Sequence, residues 1–387
     1  MKADVLSIAA SFGARSESWL YDQVAHLRRH RVHVLTYAYH NRDEYPHDPV
    51  TLLPPIASPL TRLMRAPLWL SRRGRYEFGL RERRCLAGVM RDGPGLIQAH
   101  YLTTGRMLID AVAKYDVPFL VWGYGSDVFS ERYDPSGAVG DLRAASAYLC
   151  CTSYALEKQL IELGWPAERI DVIHPGVDVP PGVPLRGDAP DGALRVISVG
   201  RLCDVKRSRD LVRVAVILHD RGVAFRWEHF GDGELRGAVE DDVRAAGLHE
   251  ALCLRGEAPR VEVRRAMFEA DVMVHPAGIA EDGSREALCV ALVEGAAAGL
   301  PAVSIRIGGI PEVVRDGTTG CLVDAGDIEG MAACIERLQR EPEWRRALGA
   351  GAHAYASTEF NRPRQAGKLD LLYDSFVTEW PGAPATR

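Results

Sequence analysis

Along the chain, short apolar runs rich in Val and Ile alternate with longer stretches whose apolar residues recur every three or four positions. The first kind predicts buried strands and the second amphipathic helices. Val5–Ala10 reads as a first strand and Val32–Tyr37 as a second. Between them Leu20, Val24 and Leu27 mark a helix, with Ser16 or Ser18 available as its N-cap. Further strands are predicted at Leu96–Ala99, Pro118–Trp122, Tyr148–Cys151 and Arg169–Ile173. The pattern then breaks. From His174 to Leu194 stand Pro175, Pro180, Pro181, Pro184 and Pro190 with several glycines and no periodicity, which marks a linker. Strand signals resume at Leu194–Gly200, Phe225–Gly231, Ala251–Arg255, Asp271–His275 and Pro301–Ile305. Alternation of this kind means parallel sheets covered by helices. The predicted fold is α/β, two doubly wound Rossmann-like domains over residues 1–178 and 179–364. In such sheets ligands sit beyond the carboxyl ends of the strands, so the loops after strands are where chemistry is sought.

Length supports the division, since 387 residues exceed what one hydrophobic core usually spans. With 47% apolar and 26% charged residues, the composition is that of a soluble globular protein. A net charge of -5 argues against nucleic acid as the partner, because phosphate binders carry a basic excess. The eight cysteines form no C-x-x-C pair and read as reduced thiols of a cytosolic protein. The opening MKADVLSIAAS has too short an apolar run for a signal peptide, and no 18-residue apolar span occurs. One segment departs from the rhythm. Between Leu60 and Arg84, arginines at 62, 65, 72, 73, 75, 81, 83 and 84 are interleaved with Leu63, Met64, Leu68, Trp69 and Leu70. Two readings stand: a basic amphipathic helix for an anionic acceptor or the inner membrane face, and a solvated helix pair.

Four segments of the second half point to one ligand type. VGRLCDVKR follows a strand and carries Arg201 and Lys206, a guanidinium fork and a point charge of the kind a pyrophosphate needs, or an ordinary solvated pair. RIGGIPEVVRDG sets Gly308 and Gly309 before Ile310 and Pro311. It is either a simple turn or a helix start whose N–H groups meet a phosphate. EDGSREALCVALVEGAAAGLP gives a helix its apolar stripe in Leu288, Ala291 and Leu292, stopped by Gly299 and Pro301. Glu286 at its entrance and Glu294 would lie roughly 12 Å apart along a continuous helix. Two carboxylates so spaced suit the hydroxyls at both ends of a nucleotide sugar, on the sugar and on the ribose. EHFGDGELRG offers Gly231 and Gly233, with Arg236 where a dinucleotide fingerprint needs its third glycine. No Asp-x-Asp triplet and no His/Cys group with ligand spacing occurs, so no metal or other cofactor is expected.

The ordered set VGRL…K, FGDG, HP…EDG-x-x-E-x7-E, AAGLP and GGIPE resembles the C-terminal domain of retaining, GT-B-fold glycosyltransferases of family four. RSESWLYDQVAHL, AHYLTTG, GYGSDVF and IHPGVD resemble the first domain of the same family, so the likeness covers nearly the whole chain. It implies a cleft between two domains and transfer from a UDP- or GDP-linked sugar to a glycan, lipid-linked or small-molecule acceptor. Catalytic candidates are Glu286, His100 and Asp127. Donor candidates are Gly13, Arg201, Lys206, Gly231, Gly233, Glu286, Glu294, Gly308, Gly309 and Ile310. The likeness gives Glu286 the donor sugar, Glu294 the ribose, and Arg201 with Lys206 the diphosphate. It also implies a closing helix near 365–380 that crosses back to the first domain through Leu369, Leu372, Tyr373 and Phe376. Two departures matter. Tyr124 stands where many relatives carry a histidine before the glycine of the G-x-D segment, which makes His100 the substitute. Ala287 replaces the glycine common after the first glutamate. Two rivals remain: a sugar-nucleotide epimerase, which would act on donor without acceptor, and a non-catalytic nucleotide-binding subunit of another transferase.

Overall fold

The computed structural model describes residues 4–54, 78–184, 186, 187, 189 and 192–378, which form two compact units. Residues 4–176 and 363–378 make the first, Val177–Arg362 the second. Most of the Arg-rich segment lies outside the described residues. Arg81, Arg83 and Arg84 lie on the helix Leu80–Met90.

The first unit is a seven-stranded sheet of β1 (Val5–Phe12), β2 (Val32–Tyr39), β3 (Val50–Leu52), β4 (Leu96–His100), β5 (Phe119–Gly123), β6 (Tyr148–Cys151) and β7 (Ile170–Val172). Its order is β3-β2-β1-β4-β5-β6-β7 and every pairing is parallel. β4 and β5 are buried at every residue, which is why LIQAH and FLVWG read as unbroken runs. The helix Arg362–Thr378 completes this core. Leu369, Tyr373 and Phe376 are buried with Val5, Val34, Leu96 and Trp122. The Asp370 carboxylate accepts the amides of Arg28 at 3.0 Å and Arg29 at 3.3 Å, just beyond the helix Ser18–Ala25.

The second unit has six parallel strands, β8 (Leu194–Val199), β9 (Phe225–Phe230), β10 (Leu252–Gly256), β11 (Val272–His275), β12 (Ala302–Ile305) and β13 (Gly320–Val323). Their order is β10-β9-β8-β11-β12-β13. In each sheet the strand order reverses once, between β1 and β4 and between β8 and β11. That is where an open α/β sheet forms its ligand crevice.

Candidate active site

In the second unit, two loops meet at the reversal point. One follows β8 and carries Arg201 and Lys206; the other follows β11 and carries Glu286. Lys206 Nζ and Glu286 Oε1 form an ion pair across the gap. The β8 loop is held from both sides. Ser208 Oγ accepts the Cys203 amide at 2.9 Å, and the Leu202 amide donates to Asp232 O at 3.0 Å. Gly231 and Gly233 pack the β9 loop onto it. A Cβ at Gly231 would stand 2.0 Å from Gly200 O, and one at Gly233 would stand 2.4 Å from Leu202 O. Their fixed work is therefore to seat the Lys206 loop. Arg201 is exposed beside it.

Glu286 is seated in the same way. A Cβ at Gly308 would lie 1.8 Å from Glu286 O, and one at Gly309 would lie 1.8 Å from Ala287 O. The Gly309 amide donates to Glu286 O at 3.3 Å and the Ile310 amide to Ile307 O at 3.1 Å. The GGI turn thus uses these two N–H groups inside the protein, in the manner of the simple turn that was one of the two readings of the segment. Ile310 is fully buried and pins the turn from below.

A second correction concerns the helix between the glutamates. Cys289 sits at φ +70°, and the helix begins only at Val290 (Val290–Ala297). Glu286 therefore projects from a loop and Glu294 from the helix, where Glu294 Oε1 meets Arg260 Nη2 at 2.9 Å. Arg260 opens the helix Arg260–Glu269, and a groove there is lined by Arg260, Val263, Met267, Glu294 and Ala298.

Around the Lys206–Glu286 pair lie two groups the sequence did not single out. His275 Nε2 is 3.6 Å from Glu286 Oε1 and 3.3 Å from Cys289 Sγ. Burial alone would raise the Glu286 carboxyl. Lys206 and His275 outweigh it and hold the carboxylate well below its ordinary range. Burial would likewise lower Lys206, but Glu286 raises it and keeps the ammonium charged. His275 is pushed up to about 9, burial opposing and Cys289 with Glu286 prevailing. His275, Glu286 and Cys289 bring one ligand atom each within 4.8 Å of one another. The grouping appears only in the fold, since His275 comes from the end of a strand and the other two from the loop that follows it. A metal ion there would face the Lys206 ammonium already paired with Glu286. The legible signal for His275 was the His-Pro dipeptide closing β11.

In the first unit, His100 ends β4 with no exposed surface. Its Nε2 lies 3.0 Å from Ser7 Oγ and its Nδ1 lies 2.8 Å from Tyr124 OH, whose oxygen is also 3.2 Å from Gln23 Oε1. Burial lowers His100 to about 3 and raises Tyr124 well above its ordinary value, so both are neutral. His100 therefore acts on Tyr124 and not directly on a ligand. Asp127 is equally inward. Its Oδ1 accepts the Tyr124 amide at 2.8 Å and its Oδ2 the Leu102 amide, a capping arrangement that ties β5 to the helix Leu102–Val112. Burial raises it to about 7 against the pull of those amides. Gly13, at φ +74°, lies where a Cβ would come 2.4 Å from His40 O.

Two parallel-sheet Rossmann-like domains of this kind define the GT-B glycosyltransferase fold. The chain belongs to the GT-B glycosyltransferases: residues 186–354 match Glycosyl transferases group 1 and residues 16–180 match Glycosyltransferase Family 4. It is 33% identical over 222 residues to the amylovoran biosynthesis glycosyltransferase AmsK of Erwinia amylovora, covering 57% of this chain and 54% of that protein. It is 28% identical over 313 residues to the D-inositol 3-phosphate glycosyltransferase of Thermomonospora curvata, covering 70% and 71%. For AmsK and two WcaL proteins of colanic acid biosynthesis, the match spans about half of the relative, from 45% to 54%. The Anabaena protein HepE, solved with UDP-glucose, superposes with a TM-score of 0.76 at 18% identity, covering 96% of this chain and 99% of HepE. Among the described residues no helix is long and apolar enough to cross a membrane.

Proposed function

We propose that the protein transfers a sugar from a nucleoside-diphosphate sugar, UDP- or GDP-linked, to a hydroxyl of a glycan acceptor in exopolysaccharide or related synthesis. Anomeric configuration is retained and no divalent metal is needed. The observation that carries this reading is the Lys206–Glu286 pair bridging the β8/β11 reversal point. Lys206 and the neighbouring Arg201 meet the charge that develops on the departing diphosphate, an electrostatic role that a preorganised cation performs without a metal. Glu286, ionised throughout the working pH range, accepts hydrogen bonds from the donor sugar, and Glu294 accepts those of the ribose. The relatives named for polysaccharide biosynthesis support a glycan acceptor, and the UDP-glucose of HepE supports a nucleotide-sugar donor.

A thermal-shift panel of nucleotide sugars tests the donor, because a ligand that binds only the folded state raises Tm by mass action. One nucleotide sugar should raise Tm, and the same compound should support transfer in excess chelator. No shift from any UDP- or GDP-sugar, or transfer abolished by chelator and restored by magnesium, would refute the corresponding half of the proposal.

A further inference from the structure

The reversal point of the first sheet carries a pair built like the one in the second. Glu17 lies in the turn Arg15–Glu17 that follows β1, and Tyr101 directly follows β4. The Tyr101 hydroxyl donates to Glu17 Oε1 and so spans the gap between the two strands at which the order reverses. Lys206 and Glu286 span the corresponding gap between β8 and β11.

Three further features mark the place. Tyr101 holds φ 75° and ψ 139°, a backbone conformation that a bulky side chain adopts only under strain. That strain turns the phenol toward Glu17. Two more rings pack with the phenol: Trp19 lies 4.2 Å from Tyr124 and 6.4 Å from Tyr101, and Tyr101 lies 4.8 Å from Tyr124, centroid to centroid. Tyr124 is buried, while Trp19, Tyr101 and Glu17 are partly exposed. The wall beneath is rigid, because His100 fixes the Tyr124 hydroxyl and Asp127 fixes its amide.

An aromatic wall with one carboxylate and one phenol has a definite chemical complement. It suits a ligand with an apolar C–H face to stack on a ring and adjacent hydroxyls to donate to a carboxylate. A pyranose has both. We infer that Glu17, Tyr101 and Trp19 form the acceptor subsite, and that the acceptor is a carbohydrate whose hydroxyls bind Glu17 while its ring stacks on Trp19. This rests on the transferase reading and deepens it, by naming the residues that would hold the glycan acceptor. Glu17 binds the acceptor directly; Tyr101 is a positioning residue that aims it.

The test uses the full chain saturated with UDP or GDP, whichever raises its Tm, and a probe panel of methyl glycosides and disaccharides of glucose, galactose and mannose at millimolar concentration. Saturation-transfer NMR should detect at least one glycoside on the wild type. E17A and W19A should each weaken that signal at least about tenfold, and E17Q should fall between them and wild type, since an amide still accepts one hydrogen bond. Y101F should shift the glycoside affinity less than E17A. Each variant should keep the wild-type thermal shift with that nucleotide, which separates a lost subsite from a lost fold. A glycoside signal absent from the wild type, or undiminished in both E17A and W19A, overturns the subsite. Failure of the donor reading shows itself separately, as absence of any nucleotide shift.

Discussion

Glu286 and Glu294 differ in what holds them, and that difference sets how each responds to mutation. Glu286 is buried and ion-paired at the reversal point, where charge develops during transfer. Removing its charge strands the Lys206 ammonium. Glu286→Gln should lower kcat by about 10²-fold or more, as losses of preorganised polar groups do. Glu294, on the helix beside Arg260, is proposed to meet the ribose, which changes little along the reaction. An interaction made equally in ground and transition state affects KM alone. Glu294→Ala should raise donor KM by roughly tenfold, or about 1.4 kcal/mol, with kcat nearly unchanged. Steady-state kinetics on both variants would expose a wrong assignment if they behave alike. Asp127 supplies a pH signature. Its folded value of about 7 lies above the ordinary 3.8, so the folded state holds the extra proton between those limits. Stability from this group is full below the lower limit, falls as pH rises and is lost above about 7. Asp127→Asn should flatten the fall in Tm between pH 5 and pH 8, and an unchanged slope would mean the carboxyl is already ionised at pH 5.

At the scale of elements, the helix that was expected to run through both glutamates stops at Cys289. The motif has the apolar spacing of a helix from Leu288 onward, and nothing in that spacing reveals the positive φ. A glycine there would have announced it. Cys289 is the residue that hides the turn, so Cys289→Gly should relieve about 1–2 kcal/mol of left-handed strain and raise Tm by a few degrees. A lower Tm would mean that the Cys289–His275 contact outweighs the strain. Strand identity was legible wherever burial on both faces left a mostly apolar run, as in β5 and, around Gln98 and His275, in β4 and β11. β3 escaped because three residues give no pattern, and β13 because Gly320 and Cys321 begin it. The donor loops were legible because Lys206 and the two glutamates fall in ordered motifs. Arg260, Glu17 and Tyr101 were not, because their partners lie on elements adjacent in space and distant in sequence.

For the whole molecule, the second unit is one uninterrupted stretch and the first is not. The helix Arg362–Thr378 brings Leu369, Tyr373 and Phe376 into the core of the first sheet and caps two amides through Asp370. Each large side chain buried there contributes about 1.5–3 kcal/mol, so the three together rival the net stability of an ordinary domain. Ending the chain after Arg362 should unfold the first unit and leave the second with its nucleotide-dependent thermal shift. A soluble truncated protein with an unaltered first unit would contradict this. The same helix sets an order on biosynthesis. The ribosome delivers the first sheet before the second unit and its final wall only after it, some two hundred residues later. Throughout that interval the nascent first domain presents an open apolar face while the second can already close, so holding the growing chain apart from its neighbours becomes a task for the cell's chaperones.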